Sequence, residues 1–194
     1  MKLHIIYVPG LGDFRIKSQK LALSTWQVYG VTTEVCQMKW SDGQSFQPKL
    51  ERILSRIDAA VAAGKPVAIV GTSAGASAAL NAYALRKGQL KGVALICGKV
   101  LRPETISDYT YRANPAFRES MQRLDVSLPV LNDDDRARIL SIHPFADQSV
   151  PVADTKLPGC REALVPTFGH AASIAATITI FSYKAVHFLR RQTN

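Results

Sequence analysis

The run Val67-Ala68-Ile69-Val70 offers no polar side chain to either face. Such a strand is stable only where both faces are covered, as in a parallel sheet with helices above and below. The residues that follow, Gly71-Thr72-Ser73-Ala74-Gly75, mark a tight turn, and Ala76-Ser77-Ala78-Ala79-Leu80 continues as a helix with small side chains. The unit therefore reads as a strand over Pro66 to Val70, a turn at Ser73 and a helix ending near Gly88. A serine between two glycines at a strand-to-helix turn has its hydroxyl pushed out at the top of the sheet. Gly71 and Gly75 lack a Cβ, so the turn can take strained dihedrals and the helix can start close to its neighbours. The same turn also suits packing alone, or a phosphate held at the helix N-terminus.

Similar alternation runs along the whole chain. Further strands are expected over Leu3 to Val8, Val31 to Met38, Lys91 to Cys97, Ile139 to Pro144 and Glu162 to Phe168. Helices are expected from Arg15 to Tyr29 and from about Pro48 to Gly64, the latter with Leu50, Ile53, Leu54, Ile57 and Val61 on one face. A last helix is expected from His170 to Arg190. Between Gly98 and Arg138 the pattern weakens; Phe117, Met121 and Leu124 share one helix face, and Asp133 to Arg138 begins a short helix. Strands alternating with helices imply crossover connections and a parallel sheet. The expectation is an α/β fold: one three-layer domain over residues 1–194, with a mainly parallel six-stranded sheet flanked by helices. Residues 98–138 would form a crossover or a small cap, where Tyr109, Tyr111, Phe117 and Met121 are candidates to line an apolar pocket.

Composition narrows the function classes. The formal charge is +9, from 24 Lys and Arg against 15 Asp and Glu. The basic residues are scattered and form no nucleic-acid-reading motif, so no specific nucleic-acid partner is expected. Cys36, Cys97 and Cys160 are too widely spaced for a metal pattern, and an odd count disfavours a disulfide framework. No metal or other cofactor is expected. Asp133-Asp134-Asp135 reads as a helix N-terminus, where carboxylates are favoured. The apolar run Leu3 to Val8 is too short for a signal-peptide core, and Ala171 to Leu189 contains Lys184 and His187 and reads as a packed helix. No transmembrane segment and a cytoplasmic location are therefore expected.

Ligands on a parallel sheet bind at the C-terminal strand ends. That rule selects Gly10 to Asp13, Ser73, Gly98-Lys99, Asp147 and His170. A serine hydroxyl needs a base within hydrogen-bond reach, and the base needs an orienting group. His170 follows the last strand in Gly169-His170. Asp147 follows the preceding strand in Asp147-Gln148-Ser149-Val150-Pro151. His143 is an alternative base and Asp154 an alternative acid. His4 and His187 read as structural.

The order Ser73, Asp147, His170, the D-x-x-V-P stretch and the Gly-His pair before the final helix resemble the α/β-hydrolase superfamily, across about Leu3 to Leu189. The resemblance implies a Ser-His-Asp catalytic triad, with oxyanion-hole donors at the backbone N–H groups of Leu11 and Ala74. Gly10, Gly12, Gly71 and Gly75 would support the two turns. The chain departs from the pattern at Pro9-Gly10, where many members carry His-Gly. Two antiparallel strands of larger members have no counterpart, which implies a compact, nearly lidless form. The implied activity is cleavage of a small carboxyl ester or thioester through an acyl-enzyme, without a cofactor. A catalytically weak scaffold that binds ligand or protein is the alternative.

Overall fold

A computed structural model describes residues 1–11 and 16–192 of the chain. Its six strands are β1 (His4–Val8), β2 (Thr32–Val35), β3 (Val67–Thr72), β4 (Leu90–Ile96), β5 (Ile139–His143) and β6 (Arg161–Leu164). They form one sheet in the order β2-β1-β3-β4-β5-β6, with every neighbouring pair parallel. The expected six-stranded parallel α/β domain is therefore what the chain forms. β1, β3, β4 and β5 are buried along their whole length apart from Lys91, whereas the edge strands β2 and β6 are largely open.

Side-chain alternation divides the core into two layers. Ile6, Val8, Ile69 and Leu95 face α2 (Phe46–Ala62), α3 (Gly75–Arg86) and α5 (Pro115–Ser127). Ile5, Tyr7, Val70 and Ile96 face α1 (Ile16–Ser24), the 3-10 turn Thr25–Tyr29 that continues it, and α8 (Ser182–Arg191). Pro48 lies in the first turn of α2, where a missing N–H costs nothing. Lys49 is fully buried, yet its ammonium donates to the carbonyls of Met38 and Lys39 and to Asp42, so every proton is satisfied.

Several expectations require correction. The strand expected over Val31 to Met38 is the shorter β2, which ends at Val35. The single helix over Arg15 to Tyr29 is an α-helix that tightens to a 3-10 turn at Thr25, where the buried Trp26 indole donates to the Ile178 carbonyl at 2.8 Å. The last helix is two: α7 (His170–Ile178) and α8, bent by 57° at Thr179 to Phe181. The break lets α8 lay Ala185, Val186 and Leu189 onto the sheet. No single helix among the described residues is long and apolar enough to cross a membrane. β6 ends at Leu164; beyond it an isolated bridge from Ala146 to Phe168 and single backbone bonds, such as Phe145 N–H to the Thr167 carbonyl at 3.0 Å, continue the contact.

Segment 98–138 contains a 3-10 turn (Pro103–Thr105), α4 (Asp108–Ala113), α5 and α6 (Asp133–Ala137). α5 packs on α3 through Phe117, Met121 and Leu124, and also through a buried polar line. Ser77 meets Ser120 at 2.7 Å, Asn81 donates to the Ser77 and Ser120 carbonyls, and Ser127 donates to Asn81. The acidic run starts α6 as a capping box between Asn132 and Asp135.

Candidate active site

The sheet order places β2 on one side of β1 and β3 on the other, so the chain reverses direction between β1 and β3. The C-terminal crevice at such a reversal is the natural ligand position. The turns after these two strands, Pro9-Gly10-Leu11 and Ser73-Ala74-Gly75, meet there. Gly10 has to be glycine, because a Cβ on it would lie 2.7 Å from the Ser73 Cβ. A Cβ on Gly75 would lie 2.2 Å from the Val8 carbonyl oxygen, so this glycine sets how close α3 starts to β1. Gly71 is equally crowded against the Gly75 carbonyl and Ala76. Gly12 and Asp13 lie outside the described residues.

Ser73 has φ of 52°, a left-handed conformation that is costly for a side chain with a Cβ. Three backbone bonds impose it. The Ser73 N–H donates to Ile96 O at 3.0 Å, and the Ser73 carbonyl accepts from Ala76 and Lys99, each at 3.1 Å. The hydroxyl is thereby directed out of the sheet edge and lies 2.8 Å from His170 Nε2. His170 opens α7 directly after Gly169, whose φ of 80° turns the chain back over the sheet. On its other side, His170 Nδ1 lies 2.6 Å from Asp147 Oδ2.

The second Asp147 oxygen accepts from the backbone N–H groups of Ser149 at 2.8 Å and Val150 at 2.9 Å. The D-x-x-V-P stretch is thus an Asx-type turn that fixes the carboxylate behind the imidazole. The Asp147 side chain is fully buried and that of His170 is 18% exposed. A carboxylate accepting from Nδ1–H leaves Nε2 as the acceptor, the form that can take a proton from the serine hydroxyl.

The two alternatives are not part of this line. His143 Nδ1 donates to the Pro144 carbonyl at 3.1 Å, and its Nε2 faces Glu162 at 3.5 Å. Asp154 is bound to Lys99 and Arg102. His4 is held by Thr32 and Glu34, and burial followed by the Lys65 charge lowers its pKa. His187 packs edge-on against Tyr29.

The backbone N–H groups of Leu11 and Ala74 have no hydrogen-bond partner among the described residues. Both residues line the same cleft as Ser73 and His170. The loop carrying Leu11 is anchored by a residue that sequence reasoning missed: the buried Trp40 indole donates to the Pro9 carbonyl at 3.0 Å. Its ring also packs edge-on against Phe117, with centroids 5.9 Å apart. A tryptophan thus supports the turn at the point where the sequence departs from His-Gly.

The cleft has a volume of about 630 Å³. Ala171, Ile174 and Ala175 of α7 form one wall, with Ser18 and Gln19 of α1. Thr105, Ile106, Ser107, Thr110 and Phe117 form the other. Of the four residues expected to line an apolar pocket, Phe117 does so. Tyr109 is 82% exposed, and Met121 is buried where α5 packs on α3. The Tyr111 hydroxyl donates to the Pro103 carbonyl, away from the cleft lining. Cys97, at the end of β4, is buried; burial and then the Asp147 charge push its thiol up to about 12. Among the described residues, no group of three His, Cys, Asp or Glu side chains is placed to hold a metal ion.

No protein-family model matches the chain, and no curated protein matches it by sequence. Solved structures do match it by shape. One belongs to the work on LipS and LipT, two metagenome-derived lipolytic enzymes: TM-score 0.70, 13% identity, covering 98% of this chain and 94% of that one. A second is MGS-MChE2, an α/β hydrolase enzyme from the metagenome of lagoon sediments at Mar Chica, Morocco: TM-score 0.69, 15% identity, covering 100% and 93%. A third is Est1E from Butyrivibrio proteoclasticus: TM-score 0.66, 16% identity, covering 96% and 88%. The chain has the α/β-hydrolase fold, in a six-stranded form.

Proposed function

We propose that the protein is a serine hydrolase that cleaves a small carboxyl ester or thioester through an acyl-enzyme. The observation that carries this reading is the unbroken line from Ser73 Oγ through His170 to Asp147, with contacts of 2.8 and 2.6 Å. In this mechanism His170 Nε2 takes the proton as Ser73 Oγ attacks the carbonyl carbon. The Leu11 and Ala74 N–H groups receive the developing oxyanion, where a single donor is worth about 3–4 kcal/mol. His170 then gives its proton to the leaving alkoxide or thiolate, and Ser73 keeps the acyl group. Water, deprotonated by His170, attacks the acyl-enzyme and restores Ser73. Asp147 orients the imidazole and stabilises its cationic form throughout. The lipolytic enzymes and esterases of like shape favour ester substrates, and the modest cleft favours small ones. The test is hydrolysis of a panel of short p-nitrophenyl esters and acyl thioesters by the wild type and by Ser73→Ala. Turnover that depends on Ser73 supports the reading; equal turnover by both proteins would reject it.

A further inference from the structure

Lys99 is an unusual residue for the wall of an ester-hydrolysing cleft. It follows β4, its backbone N–H donates to the Ser73 carbonyl, and it lines the cleft beside Ser73 and His170. Its side chain is only 4% exposed. Placing an ammonium there is costly unless its protons are matched. Nζ is paired with Asp154 Oδ2 and donates to Thr105 Oγ1 at 2.5 Å. An ammonium has three N–H donors, so these two contacts leave one uncommitted.

Lys99 shares its counter-ion. Asp154, whose side chain is fully buried, also pairs through Oδ1 with the half-exposed Arg102, so two cations share one carboxylate. Glu104 stands next to Thr105 in the chain and, like Arg102, is exposed, where solvent screens both. Among the described residues no carboxylate lines the cleft, and Asp147 is committed to His170 and two backbone donors. The wall formed by Lys99 therefore carries a buried cation that shares its counter-ion with Arg102 and has one donor uncommitted. A tie that only fastened Asp154 would be complete with Arg102 and Thr105, which itself lies 3.2 Å from Oδ2. The chain's +9 charge would also draw an anion toward the site.

We propose that Lys99 is a specificity residue selecting anionic substrates. The class is half-esters or half-thioesters of short dicarboxylic acids, with the free carboxylate on Lys99 and the scissile carbonyl at Ser73. The inference rests on the serine-hydrolase reading and names the substrate class of the same site.

The test compares kcat/KM for monoethyl glutarate with that for ethyl glutaramate, its neutral amide counterpart. The wild type should favour the carboxylate by about tenfold or more, the scale of a charge-assisted hydrogen bond. Lys99→Met should bring the ratio to about one, and Lys99→Arg should keep it above one. A second measurement needs no variant: glutarate should slow fluorophosphonate labelling of the wild type more than glutaramide at equal concentration. Labelling without preference or differential protection would overturn the role of Lys99 and leave the hydrolase reading intact. A preference that survives in Lys99→Met would do the same. A protein that neither labels nor turns over either ester would overturn both.

Discussion

Asp147→Asn isolates what the buried carboxylate does. Oδ1 accepts from the Ser149 and Val150 N–H groups at 2.8 and 2.9 Å. The variant's amide oxygen can take over both bonds, which forces its NH₂ toward His170. At 2.6 Å from Nδ1 there is no room for two donors. The imidazole must then carry its proton on Nε2, which faces Ser73 Oγ at 2.8 Å as a donor and cannot accept the serine proton. The loss in kcat should be about 10⁴-fold, the scale of a base locked in the wrong tautomer. That is about 5.5 kcal/mol of transition-state stabilisation at about 1.4 kcal/mol per decade. Stability should suffer far less, because one bond changes partner and two survive. A cost of about 1–3 kcal/mol would lower Tm by about 2–12 °C in a chain this long. The assay is p-nitrophenyl ester hydrolysis beside a thermal melt of the same preparation. Activity within tenfold of wild type would refute the reasoning.

His170→Ala should remove most of the rate, at least about 10³-fold, whereas His143→Ala should keep it, as read from p-nitrophenyl ester hydrolysis. Gly75→Ala sets a Cβ against the Val8 and Pro9 carbonyls; calorimetry should show a loss of about 1–3 kcal/mol, with reduced turnover as α3 is pushed from the Leu11 loop. Burial raises the thiols of Cys36 and Cys160 to about 11 and, with the Asp147 charge, that of Cys97 to about 12. At about pH 8 almost no thiolate is present, so iodoacetamide should label native protein much more slowly than urea-unfolded protein, as read by mass spectrometry.

Much of the fold was legible because Ile5 to Val8, Val67 to Val70 and Val93 to Ile96 are apolar or weakly polar on both faces, a pattern that admits few environments. The bend at Thr179 was not: Ile178, Ile180 and Phe181 continue the apolar run, and composition cannot reveal that α8 must turn to reach the sheet. β6 was read too long because Pro166 to Phe168 is strand-like locally, while its pairing depends on β5, which ends at His143. Within the candidate site, strand ends and glycines pointed to Ser73, Asp147 and His170. The support from Trp40 and the Lys99–Asp154 pair was invisible, since each joins residues far apart in the chain whose meeting depends on the completed sheet.

The central claim is that Ser73 is the nucleophile of a hydrolase. Fluorophosphonate labelling of the wild type, followed by proteolysis and mass spectrometry, tests it most directly. The account predicts one adduct, on Ser73, lost in Ser73→Ala and strongly slowed in His170→Ala. No adduct, or an adduct on another serine that persists in Ser73→Ala, would contradict it.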